Sequence, residues 1–157
     1  MQVFVLRHGQ AEAQITTDEA RNLTDRGRAD VAESIHRSLT ELTQVQEIWA
    51  SSLVRAQQTA LIAQEILSAH GTKLKLRTTD LIVPEGNPAE LFDALQATDH
   101  QSLLLVSHQP FVGNFLDIFC GSARGSHSMD TSSLALVECA TATPICGELR
   151  WLRHVYG

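Results

Sequence analysis

The sequence predicts an α/β protein, a three-layer α/β/α sandwich built on a mostly parallel central sheet. Two runs of residues, 2–7 and 102–107, are almost continuously apolar, as expected for strands buried on both faces of a parallel sheet. Segments with helical spacing alternate with short strand-like segments along the rest of the chain, which is typical of α/β folds. No repeat, linker or low-complexity tract divides the 157 residues, so we expect one domain over 1–157.

Capping residues mark where the predicted helices begin. Thr24 precedes a segment whose apolar residues recur at helical spacing, and Ser51 with Ser52 precedes a second such segment. Asn87 and Pro88 start a third helix, because proline fits the first helical position. In chain order, the predicted elements are a strand over 2–7, a loop over 10–23, a helix over 25–42, a strand over 46–50, a helix over 53–69, a strand over 73–77, a loop over 78–87, a helix over 89–97, a strand over 102–107, a helix over 110–120, a loop over 121–131 and strands over 133–138 and 148–152.

Composition and charge exclude several classes of function. A formal net charge of −6 argues against nucleic-acid binding, which needs a basic face, so we predict no nucleic-acid partner. No apolar run reaches the length of a membrane span, and Arg7 and His8 interrupt the N-terminal run, so we predict a cytoplasmic protein with no membrane partner. The three cysteines have no CxxC spacing, which favours reduced thiols over a disulfide framework or a zinc site. These patterns leave the oligomeric state open.

Basic side chains follow three of the predicted strands, at the point where each strand ends. Arg7 and His8 follow the first strand, Arg55 lies just after the second, and His108 follows the strand over 102–107. Because ligands of open α/β sheets bind beyond the carboxyl ends of the strands, we expect these side chains to line one pocket.

The chemistry of these residues indicates phosphoryl transfer. Arginine presents a planar fork of donors that matches phosphate oxygens, and a helix N-terminus adds amide donors. Arg55 lies in the first turn of its predicted helix, where a cation opposes the helix dipole, and a bound anion would offset this. Histidine is an established covalent nucleophile, and Gly9 lets the backbone turn sharply beside His8. The sequence therefore predicts transfer through a phosphohistidine intermediate.

Four short motifs occur at these strand ends and in the first loop. They are LRHG at 6–9, RNLTDRG at 21–27, SSLVRAQQTA at 51–60 and SH at 107–108. Together they resemble the histidine phosphatase superfamily, also called the phosphoglycerate-mutase-like fold, and the resemblance spans nearly the whole chain. The short chain, the opening MQVFVLRHG and the pair Val112-Gly113 are most similar to the small bacterial phosphohistidine phosphatases of that family.

The resemblance implies a role for each matching residue. His8 matches the nucleophile that accepts the phosphoryl group, and Arg7 and Arg55 match the arginines that hold its oxygens. His108 matches a second histidine that contacts the phosphoryl group and stabilises its developing charge, and Arg21 matches a further position near the phosphate. The implied reaction removes the phosphoryl group from a phosphorylated histidine of a signalling phosphotransfer protein or domain. We predict that it needs no metal and no other cofactor, because cationic donors supply the charge stabilisation.

The nucleophilic nitrogen of His8 must be unprotonated for this reaction. We therefore expect the other ring nitrogen to donate to a backbone carbonyl or a similar partner, which fixes the tautomer. The neighbouring arginines should favour the neutral imidazole through like-charge repulsion.

The general acid of larger family members has no clear equivalent here. In those proteins a glutamate after the third strand protonates the leaving group, and its position falls on Val83 or Pro84 in this chain. Glu85, one or two residues away, and Asp18, in the loop after the first strand, are the candidate acids. An alkoxide leaving group needs a proton, whereas imidazole, with a pKa of roughly 6.5, leaves readily. The gap therefore favours a phosphohistidine substrate.

Two other functions remain open from the sequence. One is a phosphatase that acts on a small phosphorylated metabolite, which would need a closed pocket with additional polar contacts. The other is a phosphate-binding module without catalysis, which would be expected to lack the nucleophile or an arginine.

Overall fold

The computed structural model describes residues 1–14 and 17–157, and its centre is a six-stranded mixed sheet. The strand order is β3-β2-β4-β1-β5-β6, with parallel pairing among the first four strands in that order. The fifth strand pairs antiparallel with the first, and the sixth pairs antiparallel with the fifth. The strands are β1 (Gln2–Arg7), β2 (Glu47–Ser51), β3 (Lys75–Thr79), β4 (Ser102–Ser107), β5 (Leu134–Glu138) and β6 (Glu148–Arg153).

Helices cover both faces of this sheet, which confirms the predicted α/β/α sandwich. None of the helices in the described ranges is long and apolar enough to cross a membrane. Two short 3-10 helices, Asp18–Ala20 and Asp80–Ile82, lie in the loops after β1 and β3. The α-helices are α1 (Asp25–Arg37), α2 (Leu39–Leu42), α3 (Val54–Ala69), α4 (Pro88–Ala97) and α5 (Phe111–Phe119).

The sheet separates two buried apolar clusters. Successive side chains of a strand point to opposite faces, so β1 contributes to both clusters. Phe4 and Leu6 pack with the first three helices, whereas Val3 and Val5 pack with α4 and α5. The near-continuous apolar character of β1 and β4 follows directly from this burial on both sides.

The register of the parallel strands brings the predicted site residues to one edge. Arg7 at the end of β1 pairs with Ser107 at the end of β4. Ala50, one residue before the end of β2, pairs with Val106 of β4. The residues that follow β1, β2 and β4 therefore emerge side by side at the carboxyl edge of the sheet.

The predicted helix over 25–42 is wrong in one respect, because it is broken at Ser38. Ser38 has φ −117° and ψ 23°, and its backbone N–H donates to Ile35 O instead of continuing the regular ladder. Its hydroxyl accepts a hydrogen bond of 2.7 Å from Arg153 Nη1. A side-chain contact from the distant sixth strand therefore accompanies the break.

Other boundaries also differ from the prediction. Ser51 and Ser52 do not cap α3, which begins after Leu53, and the Ser52 hydroxyl donates to Asp80 instead. The third strand covers Lys75–Thr79 and not 73–77, because its register is set by pairing with β2 and not by its own alternation. In the predicted loop over 10–23, residues 15 and 16 lie outside the described residues.

Candidate active site

The turn after β1 is held against two helices by close backbone packing. A Cβ added at Gly9 would lie 2.7 Å from Val31 Cγ2 and 2.8 Å from Gly27 O, so only glycine fits this approach. The Gly9 N–H donates to Thr59 Oγ1 over 3.1 Å, and that hydroxyl donates to Arg55 O over 2.7 Å. The turn that carries His8 is therefore joined directly to the first turns of α3.

His8 is a buried, neutral histidine whose tautomer is fixed by the backbone. Its side chain is buried, and its Nδ1 donates to Gly9 O over 2.7 Å, since a carbonyl oxygen only accepts. In the neutral ring, Nε2 therefore carries a lone pair. Burial lowers the pKa of His8 to about 4, the hydrogen bond to Gly9 opposes this, and the charges of Arg55 and Arg7 lower the pKa further. The ring is neutral at physiological pH.

Arg55 lies directly against this lone pair. Although it belongs to the first turn of α3, it is only 4 % exposed, and its Nε lies 3.3 Å from His8 Nε2. Its Nη1 donates to Asp18 O over 2.8 Å and its Nη2 to Asp18 Oδ2 over 3.2 Å. The positive charge of the Arg55 guanidinium thus adds to the partial positive charge of the α3 N-terminus beside His8.

Arg7 contributes a second guanidinium that is held by main chain. Its Nη1 donates to Met129 O over 2.7 Å, and its Nε is buried with no hydrogen-bond partner in the described structure. Burial lowers the pKa of Arg7, while the charge of Asp130 raises it and that of Arg55 lowers it. Arginine remains charged in proteins despite such shifts, so Arg7 offers a cationic donor without a partner.

The segment that holds Arg7 is itself anchored by a buried carboxylate. Asp117 of α5 is 4 % exposed and accepts hydrogen bonds from the backbone N–H groups of Gly125 (2.8 Å) and His127 (2.9 Å). The His127 ring also donates to it from Nδ1 over 2.7 Å. These contacts fix the loop over 121–131, and with it the Met129 carbonyl that receives Arg7.

His108 lies beside His8 and is fully buried. The two ring centroids are 5.0 Å apart and the ring planes are tilted by 53°. The Nε2 atom of His108 lies 2.8 Å from Ser51 Oγ, and its Nδ1 is buried without a hydrogen-bond partner in the described structure. Burial lowers the pKa of His108 to about 2, with further lowering by His8 and Arg55, so this ring is also neutral.

Asp18 and Arg21 join the cluster through an ion-pair chain. The Asp18 carboxylate receives Arg55 on Oδ2 and Arg21 Nη1 on Oδ1, the latter over 3.1 Å, while Arg21 Nε donates to Glu12 O. Burial would raise the pKa of Asp18, but the hydrogen bonds and charges of Arg21 and Arg55 outweigh it and lower that pKa. In this arrangement the ionised form of Asp18 is favoured and its carboxylate occupies donors of both arginines.

Glu85, the other candidate acid, lies on the surface. Its side chain is exposed, and within the described residues it makes no hydrogen bond or ion pair with the histidines and arginines of the cluster. Val83 and Pro84, where the glutamate of larger family members is expected, carry no ionisable group. Within the described residues, neither Glu85 nor positions 83 and 84 therefore adds a carboxyl group to the cluster of histidines and arginines.

The structure thus assembles six of the predicted residues at one sheet edge: His8, His108, Arg7, Arg55, Arg21 and Asp18. Both histidines are neutral, and the carboxylates that act on the three arginines are those of Asp18 and Asp130, so positive charges outnumber negative ones here. Across 1–14 and 17–157, no group of three or more His, Cys, Asp or Glu residues is placed to hold a metal ion. The charges available to an anion here are those of guanidinium groups.

Sequence reasoning missed four residues that support the cluster. Ser51 and Thr59 were available in the motif SSLVRAQQTA, where Thr59 stands one helical turn after Arg55. No sequence pattern around Asp117 or Met129 marks them as part of the site. Asp117 lies within a helix, and Met129 contributes only its backbone carbonyl. Their roles depend on contacts between segments that are far apart in the chain.

The depressed pKa of His8 predicts a specific dependence of stability on pH. Because the folded-state pKa is about 4 and the unfolded value is 6.5, unfolding takes up a proton between these values. The stabilisation is complete above pH 6.5 and is lost as the pH falls toward 4. We expect the unfolding free energy to fall with pH more steeply in the native protein than in His8→Asn, by up to about 1.4 kcal/mol per pH unit. Urea denaturation at pH 7 and pH 5 measures this, and equal slopes in the two proteins would contradict it.

Comparison with known proteins identifies the family of this arrangement. The family model described as "Histidine phosphatase superfamily (branch 1)" matches residues 3–91, which include Arg7, His8 and Arg55. The chain is 30 % identical over 126 residues to the phosphohistidine phosphatase SixA homolog of Haemophilus influenzae, covering 74 % of this chain and 75 % of that protein. It is 28 % identical over 127 residues to phosphohistidine phosphatase SixA of Escherichia coli, covering 76 % and 74 %.

Solved structures agree at the level of the fold. A structure of the protein histidine phosphatase SixA complexed with tungstate superposes with a TM-score of 0.86 at 24 % identity, covering 99 % of this chain and 97 % of that chain. The same fold occurs in structures named as phosphatases of small molecules, including α-ribazole-5′-P and phosphoserine. The sequence match, the fold and the pair of neutral histidines beside buried arginines together show that this chain belongs to the histidine phosphatase superfamily.

Proposed function

We propose that this protein is a phosphohistidine phosphatase that dephosphorylates a histidine on a signalling phosphotransfer protein or domain. The observation that carries the proposal is the neutral His8 ring, whose Nε2 lone pair lies 3.3 Å from the Arg55 guanidinium. Its curated relatives bear the name of this activity, which supports the choice of substrate.

In the first step of the proposed reaction, His8 Nε2 attacks phosphorus. The new N–P bond forms as the N–P bond of the substrate histidine breaks, and the substrate ring leaves as neutral imidazole when its other nitrogen carries a proton. The Nδ1 proton of His8 remains on the ring and stabilises the developing positive charge through Gly9 O. Arg7, Arg55 and His108 provide donors for the phosphoryl oxygens, which is the main catalytic requirement of phosphoryl transfer.

In the second step, water attacks the phosphoryl group on His8. The N–P bond breaks, the oxygen and both hydrogens of the water leave with the phosphoryl group as H₂PO₄⁻, and His8 returns to its neutral Nδ1–H form. Neither step requires a metal ion, because guanidinium groups provide the positive charge. Neither step requires a strong general acid, since imidazole leaves with a pKa of roughly 6.5.

The state of the two candidate acids favours this substrate over a phosphate monoester. Asp18 is held ionised by Arg21 and Arg55, and Glu85 lies on the surface. An alkoxide leaving group would lack the proton that it needs. A small phosphorylated metabolite is the second candidate substrate, because phosphatases of small molecules share this fold.

The test is phosphate release from a phosphohistidine-bearing phosphotransfer domain, beside a phosphate monoester, with and without a chelator. We expect rapid release from phosphohistidine, little from the monoester, and no effect of the chelator. Rapid turnover of the monoester that is lost in Glu85→Gln would move the assignment to a metabolite phosphatase. Loss of activity with the chelator would overturn the metal-independent mechanism.

Asp18→Asn is expected to strengthen the binding of inorganic phosphate. The Asp18 carboxylate now occupies donors of Arg55 and Arg21 that an anion would use, and asparagine removes this competing charge. Because Asp18 is 39 % exposed, the effect should be modest, roughly a two- to fivefold decrease in the inhibition constant of phosphate. Competitive inhibition assays measure it, with Asp25→Asn on the exposed first turn of α1 as the control. A large fall in kcat without tighter phosphate binding would instead indicate that Asp18 is the acid.

A further inference from the structure

Ser51, the last residue of β2, makes a buried contact that the proposed mechanism does not use. Its side chain is fully buried, and its Oγ lies 2.8 Å from His108 Nε2. The same oxygen accepts the Leu53 backbone N–H over 3.3 Å. The neighbouring Ser52 is exposed and bonds to Asp80, so the two serines of the motif have separate partners.

The protons carried by Ser51 and His108 decide which of the two side chains donates the hydrogen bond. A serine hydroxyl has one proton to donate, and His108 is neutral, so exactly one of its two ring nitrogens carries hydrogen. If Nε2 donated to Ser51, the hydroxyl proton would have no acceptor in the described structure and the lone pair of Nδ1 would be buried without a donor. If Ser51 donates to Nε2, only one buried group, the Nδ1–H of His108, lacks a partner. Since each buried unpaired polar group is costly, the second arrangement is favoured.

We propose that Ser51 is a positioning residue whose hydroxyl donates to His108 Nε2 and holds the ring in its Nδ1–H tautomer. The unpaired Nδ1–H is then the group that His108 offers to a phosphoryl oxygen. The last step rests on the proposed function, whereas the tautomer assignment rests on the Ser51 contact and on the unpaired Nδ1 of the neutral ring.

The tautomer matters because the ring is neutral. A charged imidazolium would offer a donor from either nitrogen, but a neutral ring offers a donor from one and a lone pair from the other. A lone pair facing a phosphoryl oxygen would repel it, while an N–H attracts it. The hydroxyl of Ser51 thus determines from the far side of the ring whether His108 helps or hinders phosphoryl transfer.

The direct test is ¹⁵N nuclear magnetic resonance of the histidine rings near pH 7. We expect the native protein to show His108 protonated at Nδ1, and Ser51→Ala to shift the ring toward the Nε2–H form. Ser51→Thr retains a hydroxyl and should keep the native tautomer, while Ser52→Ala is the matched control for loss of an adjacent hydroxyl. An Nε2–H tautomer in the native protein, or an unchanged tautomer in Ser51→Ala, would overturn the assignment.

Titration with inorganic phosphate tests the proposed donor. The Nδ1 resonance of His108 should shift on saturation in the native protein, and a resonance that does not move would overturn this part of the proposal. This measurement does not depend on the physiological substrate. If phosphohistidine is not hydrolysed, the proposed function fails while the resonance data still decide the role of Ser51.

The kinetic test separates positioning from general stability. Ser51→Ala should lower kcat about tenfold with little change in KM, and Ser51→Thr should recover most of it. In a His108→Ala background, removal of the hydroxyl should have no further effect on kcat, because the residue through which it acts is gone. Additive losses in the double variant would overturn the positioning role.

Discussion

Replacement of His8 by alanine is expected to abolish phosphoryl transfer, with a loss of at least about 10⁴-fold in kcat. The reaction is proposed to proceed through a covalent bond to His8 Nε2, and among the described residues no nearby group replaces that lone pair. His108 is 5.0 Å away between ring centroids, but its Nε2 is occupied by Ser51. The measurement is phosphate release by the native and variant proteins under single-turnover conditions.

A matched control and a trapping experiment make the His8 result specific. His36→Ala removes an exposed histidine of α1 and should leave kcat unchanged. Alkaline quenching of the native reaction, followed by mass spectrometry, should place an acid-labile phosphoryl group on the peptide that contains His8. Retention of more than a hundredth of the native activity in His8→Ala, or labelling of a different histidine, would contradict the covalent mechanism.

Arg55→Lys is expected to lower kcat/KM by about 10²- to 10³-fold, although the charge is retained. The guanidinium reaches His8 Nε2 with Nε and Asp18 with both terminal nitrogens, so its donors extend from the proposed nucleophile to the carboxylate. Lysine carries its three donors on a single nitrogen, so it cannot reproduce the planar fork of N–H groups on separate nitrogens. Steady-state kinetics measure the loss, and thermal unfolding shows whether the fold persists.

The control for Arg55→Lys is the same substitution at an arginine outside the candidate site. Arg28→Lys changes an exposed residue of α1 and should have no effect on kcat/KM. If Arg55→Lys retained more than a tenth of the native activity, the positive charge alone would suffice and the proposed role of the fork would be wrong.

The sequence predicted the fold because strong local signals coincided with the elements that are most buried. The runs at 2–7 and 102–107 became β1 and β4, whose residues are buried on both faces of the sheet. Predictions from weaker sequence patterns were wrong where a contact with a distant segment set the boundary of a helix or strand. Ser38 breaks the first helix beside Arg153, and β3 starts where pairing with β2 places it.

Part of the candidate site could also be predicted, because its residues follow strongly predicted strands. Strand order and the carboxyl-edge rule were enough to expect His8, Arg7, Arg55 and His108 in one place. The structure adds what cannot be inferred from residue order, namely which atom of each side chain contacts which partner. The assignment of Arg21 to the phosphate remains a prediction, since it meets the cluster through Asp18.

The sequence by itself determined the α/β class, the family and the chemical identity of the cluster, because these depend on residue types and on their order along strands and helices. Only the tertiary structure decided that Asp18 lies on Arg55, that Glu85 is on the surface and that Ser51 contacts His108. Hydrogen bonds act over about 3 Å and depend on angle, so they require the relative placement of segments many residues apart. Burial sets the pKa of both histidines for the same reason, since it is the folded chain around them that removes water.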